Sequence, residues 1–258
     1  MTNHFINCFT AEWIKQRRSF ASWLVLLGGF FVPGIIILVL LCYPQQLISL
    51  HASGHFWEQM FQKSWQLMAF MLLPMGIVLS VSLITQLEFK SNTWKQLNTT
   101  PVTFAVIYFS KLAVLLVMLL QLFVFFNIGI YLSAVIPSLL NSRTHFPNYK
   151  FDFAYFLKEN TNYFILCLPM VALQYLISLQ TKHFLIPIVI GLALVVGGLI
   201  AISWKLIFTI PSAYTALYFL QSKTTAAPLH DLRIWSLIYF VFFTLTGYLF
   251  YIFKKEKG

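Results

Sequence analysis

The chain has 258 residues, of which 59% are hydrophobic and only 9% are charged, and it carries a formal net charge of +10. A soluble domain of this size cannot bury so much apolar surface, and the basic residues border apolar runs rather than forming the water-exposed face that nucleic-acid binding needs. The composition therefore excludes a soluble domain, argues against a nucleic-acid partner, and predicts an all-α polytopic membrane protein.

The first 21 residues predict an amphipathic helix. Phe5, Ile6, Phe9 and Trp13 share one face at about 100° per residue, and polar side chains lie on the other side. We expect this helix to lie in the membrane interface with its aromatic face against lipid. An ordinary cytoplasmic cap helix is the alternative.

Six apolar stretches are long enough to cross a bilayer, which takes about 20 apolar residues. We predict spans at 22–43, 67–87, 106–134, 163–179, 184–202 and 234–253 within a single domain, 1–258. Ten of the 17 Lys and Arg side chains lie on the side of the N terminus, packed into short segments. The positive-inside tendency then places both termini in the cytoplasm of a cell that we expect to be bacterial, with the protein in its cell membrane.

The cytoplasmic connection at 88–104 is polar, yet Trp94 and Leu97 would share one face of a short helix that Pro101 prevents from continuing. Two interpretations remain open. These side chains dock a partner, or Trp94 anchors the segment at the lipid interface.

Small residues recur at every fourth position of the fifth span, at Ala193, Gly197 and Ala201. This spacing lets helices approach closely, either within the chain or between two copies of it. The external loops at 135–162 and 203–233 hold enough apolar residues to pack onto the bundle, where they either shape an outer gate or simply cover it.

Chemistry-bearing motifs are missing from the sequence. It has no G-x-x-x-x-G-K-[ST] loop for ATP, and no Asp, Glu or His stands near the middle of a predicted span, where a coupling ion would bind. His51 and His55 are four residues apart with only Glu58 nearby, which does not make a metal site. We therefore expect no enzyme activity and no cofactor in this chain.

Two segments together resemble a known family. The N-terminal stretch from Ala11 to Ser19, followed by a span containing Pro33, and the connection from Glu88 to Lys111 are similar to the permease subunit of type-2 ABC exporters. The closest similarity is to the small permeases of lantibiotic or bacteriocin self-protection. One departure is Asn92, where many members have Gly.

The resemblance implies two permease chains, identical or related, and two separate ATPase subunits that bind ATP and Mg. It implies an interfacial N-terminal helix and a coupling helix within 88–104. The implied ATPase-coupling residues are Glu88, Asn92, Thr93, Trp94, Leu97, Pro101 and Lys111.

The expected function is ATP-driven export of an amphipathic or hydrophobic cargo, such as a peptide, drug or lipid, along a path lined by the first, second and fifth spans. The alternatives are a secondary carrier or channel that needs no ATPase, and a membrane scaffold or sensor that does not transport. An intramembrane enzyme is disfavoured, because the sequence shows no nucleophile–base or ligand cluster.

Overall fold

The computed structural model describes residues 2–17, 19–43, 45, 48, 50, 55–90, 103–140, 151–181, 183–222 and 231–255. Within these residues the chain is nearly all helical and contains no β-strand. Six of the helices are long and apolar enough to cross a membrane. The prediction of an all-α protein with six spans is confirmed.

The helices are α1 (Thr2–Arg17), α2 (Phe20–Cys42), α3 (Phe56–Leu67, a π-helical turn at Met68–Leu72, and Leu73–Lys90), α4 (Phe104–Leu140), α5 (Phe153–Gln180), α6 (Leu185–Ile200), α7 (Tyr214–Gln221) and α8 (Leu232–Lys255). All except α1 and α7 are candidate spans. Short 3-10 turns at Ala201–Ser203, Ile207–Thr209 and Pro211–Ala213 lead from α6 to α7.

The six spans form two layers. The front layer consists of α2, α3 and α6 side by side, and the back layer consists of α4, α5 and α8. Helix α2 packs on α4, and α3 packs on α5. Because the number of crossings is even, α1 and the end of α8 lie on one face, the terminal face, and α7 lies on the opposite face.

Close packing of α2 on α4 depends on two glycines. A Cβ atom on Gly29 would lie 2.8 Å from Phe125 Cβ, and a Cβ atom on Gly129 would lie 2.7 Å from Pro33 Cγ. Neither distance is tolerated, so both positions need hydrogen in place of a side chain. The second contact lies four residues after the first on both helices, which shows that α2 and α4 run parallel.

Helix α4 is longer than a bilayer requires. It has 37 residues, and the register set by Gly29 and Phe125 makes it begin about 12 residues, or about 18 Å, before α2 begins. This extra length lies at the terminal face, where α1 packs against α4.

Several predicted spans are shorter than the observed helices. The second begins at Phe56 rather than at 67, the fourth at Phe153 rather than at 163, and the third continues to Leu140 rather than ending at 134. The early part of α3 mixes polar and aromatic residues, so its hydropathy is low. It is nevertheless buried, with Phe56, Trp57, Phe61 and Trp65 in the core. The connection predicted at 135–162 is therefore helical at both of its ends.

The segment after α6 folds back onto the bundle. Ser212 Oγ donates a 2.7 Å hydrogen bond to the Leu194 carbonyl, and Thr215 Oγ1 donates a 2.7 Å bond to the Ala69 carbonyl of α3. Phe219 adds an edge contact with Phe70. Helix α7 is thus tied to the π-helical turn of α3.

Candidate functional site

A narrow cleft, the front cleft, lies between the two layers, with residues of α2 and α3 on one side and residues of α4 and α5 on the other. The lining residues are Val25, Gly76, Ile77, Ser80, Val81, Ile84, Leu115, Met118, Leu119, Leu122 and Val171. Ser80 is the one polar residue among them, and a Cβ atom on Gly76 would meet nothing within 4 Å. The cleft has a volume of about 20 Å³, which is room for little more than one water molecule. The observed conformation therefore admits no organic molecule here.

A buried polar cluster stands behind this cleft and joins three spans. Gln174 Nε2 donates to Ser82 Oγ at 2.9 Å and to the Pro187 carbonyl at 2.8 Å. Both Gln174 and Ser82 are fully buried. Helix α6 approaches Gln174 closely because Gly191 has no side chain, and a Cβ atom there would lie 2.7 Å from Val78 Cγ1. The cluster fixes α6 against α3 and α5.

Gln174 lies within the fourth predicted span, and the sequence analysis did not find this cluster. Its signal was present, because Ser82, Gln174 and Ser178 are each a polar residue in an otherwise apolar stretch. Polar side chains within bilayer helices usually bond to a neighbouring helix. Which partner each one takes depends on helix contacts that one sequence does not reveal.

Helix α1 is present where it was predicted, but its most buried residues are polar. Glu12 and Gln16 are 6% and 2% exposed, whereas Ile6 is 58% exposed. Phe9 and Trp13 stack with their ring centroids 6.3 Å apart and pack against the core. Half of the predicted aromatic face therefore contacts protein, Phe5 is half-buried, and the membrane position of this helix stays a prediction.

Short-range polar contacts lie within α1 and at its junction with α2. Lys15 Nζ lies 2.7 Å from Glu12 Oε1 in an ion pair, and Ser19 Oγ donates to Gln16 Oε1 at 3.2 Å. A half-polar pocket of about 310 Å³ opens between α1, α2 and α4, lined by Trp13, Gln16, Arg17, Ser22, Leu26, Met118, Gln121 and Phe125. The terminal face therefore carries a polar crevice at the level where α2 begins.

Most of the predicted coupling residues lie outside the described residues, namely Asn92, Thr93, Trp94, Leu97 and Pro101. Glu88 falls in the last part of α3, and its side chain is not described either. Lys111 lies in the early part of α4 and is 2% exposed. The grouping of these residues into one coupling site remains a prediction.

The small-residue stripe of α6 points away from the rest of the chain. Ala193 and Gly197 are exposed, Ala201 is half-buried, and a Cβ atom on Gly197 would meet nothing within 4 Å. Helix α6 packs within the chain through another face, formed by Pro187, Gly191, Val195 and Gly198.

A polar and aromatic cluster lies on the opposite face, between α5 and α7. Tyr218 Oη donates to Glu159 Oε2 at 3.0 Å and accepts from Asn162 Nδ2 at 2.7 Å. Burial, together with the nearby Glu159, raises the pKa of Tyr218 to about 12, so its hydroxyl keeps its proton at neutral pH. Next to this cluster, Trp65 stacks on Tyr163 with their ring centroids 3.6 Å apart. Sequence analysis missed this cluster because it placed Glu159 in a loop.

Over the described part of the chain, no group of three or more His, Cys, Asp or Glu side chains is placed to hold a metal ion. The described residues form a bundle with a closed apolar cleft between its layers and polar contacts at both faces.

Comparison with known proteins gives one match. Residues 8–198 match the model of the family described as ABC-2 family transporter protein. No curated protein and no solved structure matches the chain. The matched region runs from within α1 to near the end of α6, and so includes almost all of the front layer.

Proposed function

The chain belongs to the ABC-2 family of transporter proteins and is therefore a multi-pass membrane permease of an ABC transporter, and we propose that it exports an amphipathic or hydrophobic cargo with energy from a separate ATPase subunit. The observation that carries the proposal is the family match across α1 and almost all of the front layer. The family membership itself implies association with an ABC ATPase.

The energy source must come from that partner, because the sequence contains no G-x-x-x-x-G-K-[ST] loop. In this proposal ATP and Mg are bound by the ATPase, and the present chain is not itself an enzyme. The segment 88–104 docks into the ATPase, with Trp94 and Leu97 as its apolar anchors. This assignment rests on the sequence pattern.

The transport path is proposed to run between the front layers of two permease chains, identical or related. The cleft at Gly76 and Ser80 supports this, because residues of α2 and α3 line it and α6 packs beside α3 in the same layer. Those helices are the first, second and fifth spans. The apolar lining favours a cargo such as a hydrophobic peptide, drug or lipid.

ATP-dependent closure of the ATPase subunits would move the coupling segment and, through α3 and α4, change the separation of the two front layers. A closed cleft and an open one are then the two arrangements between which the complex switches. We further propose a bacterial cell membrane as the location, with both termini cytoplasmic, and self-protection against a bacteriocin as the role that suits a peptide cargo.

The test is transport by the complex reconstituted in liposomes. Three probes are used: a fluorescent hydrophobic peptide, a lipophilic dye and a fluorescent phospholipid. We expect at least one of them to move when ATP is supplied, and none to move when the phosphate-loop lysine of the ATPase is replaced by alanine.

Two other outcomes would contradict the proposal. Movement of a probe under an ion gradient by the chain alone would make it a secondary carrier. An intact complex that moves none of the probes, and whose ATP turnover none of them alters, would make it a scaffold or sensor.

A further inference from the structure

A second cavity lies on the outward side of the back layer, between α4 and α5. Its volume is about 430 Å³, within the usual range for small-molecule sites. The lining residues are Leu120, Phe123, Val124, Asn127, Ile128, Phe151, Phe153, Phe156, Leu157, Asn160, Thr161 and Phe164. On α4 these residues occupy the side opposite to those that line the front cleft, so the two sites are separate.

The rim of the cavity faces the surrounding bilayer. Val124 is 56% exposed and Leu157 is 58% exposed, while the floor is formed by Phe123, Phe156 and the two asparagines. A ligand would enter sideways from the hydrocarbon rather than from water.

The asparagine pair lies beside the cluster that joins α5 to α7. Asn160 follows Glu159, which accepts a hydrogen bond from Tyr218 Oη, and Asn127 bonds to Asn160 across the two helices. Polar groups in an apolar cavity are costly unless they are bonded.

All N–H groups of the pair are already used. Asn127 Nδ2 donates to the Phe123 carbonyl at 2.7 Å and to Asn160 Oδ1 at 2.8 Å. Asn160 Nδ2 donates to Asn127 Oδ1 at 2.9 Å and to the Phe156 carbonyl at 2.7 Å. Turning either amide over would set its oxygen against a carbonyl oxygen, so this orientation is fixed.

The asparagine pair can still accept hydrogen bonds from a ligand. An amide oxygen has two lone pairs, and each Oδ1 accepts one bond among the described residues. Thr161, the third polar residue of the lining, donates its hydroxyl proton to the Leu157 carbonyl at 2.7 Å. The described lining of the cavity therefore offers acceptors and no free side-chain donor.

The ligand class follows from this inventory. None of the described lining residues is acidic, so a cation buried among them would lack a counter-charge, whereas a hydroxyl can donate to an asparagine oxygen and remain neutral. We infer that this cavity binds a lipophilic alcohol or phenol, whose apolar body fills the aromatic groove and whose hydroxyl bonds to the asparagine pair. An acyl chain of a membrane lipid would fill the groove without using the pair.

The test compares an alcohol with its methyl ether. A long-chain alcohol carrying a diazirine is photo-crosslinked to the full chain in lipid nanodiscs, with unlabelled alcohol or its methyl ether as competitor. We expect labelling within 120–128 and 151–164, and competition about fivefold stronger for the alcohol, which corresponds to about 1 kcal/mol.

Variants separate the pair from the groove. The double substitution Asn127→Leu with Asn160→Leu should abolish the preference for the alcohol and leave labelling itself in place. Gln121→Leu, a polar position on the same helix outside this cavity, should keep the preference. If the double variant does not fold, Val124→Trp at the rim should reduce labelling by the diazirine alcohol.

Equal competition by the alcohol and the ether in the unaltered chain would overturn the inference and identify the cavity as a lipid groove only. Labelling that lies elsewhere, or a preference that survives the loss of both asparagines, would overturn it as well.

Discussion

Glycines decide how closely α2 approaches α4. Gly29 lies against the backbone of α4, since its Cβ would be 3.3 Å from the Leu122 carbonyl oxygen and 2.8 Å from Phe125 Cβ. A backbone atom cannot move aside as a flexible side chain can. Gly34 on the same helix has nothing within 4 Å of its Cβ position, so Gly29 and Gly34 play different roles.

The first prediction contrasts these two positions. Gly29→Ala should destabilise the protein by about 1–3 kcal/mol, because overpacking forces the two helices apart. Gly34→Ala should be neutral, or stabilising by up to about 1 kcal/mol, because alanine favours a helix. Thermal unfolding in detergent measures both, and equal effects of the two substitutions would contradict the packing described for α2.

Single residues also show where a sequence stops being informative. The sequence shows Asn127 and Gln174 as uncharged polar residues in apolar stretches. It does not show that Asn127 pairs with Asn160, or Gln174 with Ser82, because the two residues of each pair lie on different helices and are 33 and 92 positions apart in the chain. Both pairs depend on which helix faces belong together.

At the scale of elements, the π-helical turn of α3 explains why α7 docks there. The Leu73 N–H bonds to the Met68 carbonyl, five residues earlier. In the same pattern Ala69 would accept from residue 74, which is Pro74 and has no N–H. Thr215 of α7 supplies the donor to the Ala69 carbonyl instead.

A second prediction tests this contact. Thr215→Val keeps the shape of the side chain and removes the hydroxyl, leaving the buried Ala69 carbonyl without that donor, at a cost of about 1–3 kcal/mol. We expect faster hydrogen exchange in α7 and a lower unfolding temperature. Thr215→Ser keeps the hydroxyl and is the matched control.

If Thr215→Val and Thr215→Ser exchange at the same rate as the unaltered chain, the hydroxyl does not hold α7 in place. In that case the aromatic contact between Phe70 and Phe219 would be what keeps the helix on the bundle.

Elements were predicted unevenly from the sequence. Long charge-free runs identified all six spans, since crossing a bilayer requires them. The early parts of α3 and α5 were missed because aromatic side chains, such as Trp65 on Tyr163, bury a segment whose average hydropathy is low. The π-helical turn could not be foreseen, because Pro74 alone is compatible with several ways of disrupting a helix.

For the whole molecule, the two-layer arrangement connects the fold to transport. The first, second and fifth spans, which the sequence analysis expected to line the path, lie together in the front layer. The back layer supports them and carries a separate cavity. Half-exposed apolar surfaces on α2 and α6 are available to lipid or to a second permease chain.

Coupling to the ATPase remains the part that rests on sequence. Trp94 and Leu97 belong to the connection between α3 and α4, outside the described residues. If they are the anchors of a docking helix, each should behave as a hot spot, where truncation of a buried aromatic costs about 2 kcal/mol or more. That loss would weaken ATPase binding at least tenfold.

The most direct measurement is affinity purification of the tagged chain from its native membrane in mild detergent, followed by identification of the proteins that co-elute. We predict a stoichiometric protein with a G-x-x-x-x-G-K-[ST] loop, lost when Trp94→Ala and Leu97→Ala are combined and kept with Trp204→Ala, an exposed tryptophan expected on the opposite face. A chain that elutes without any such ATPase would contradict the account.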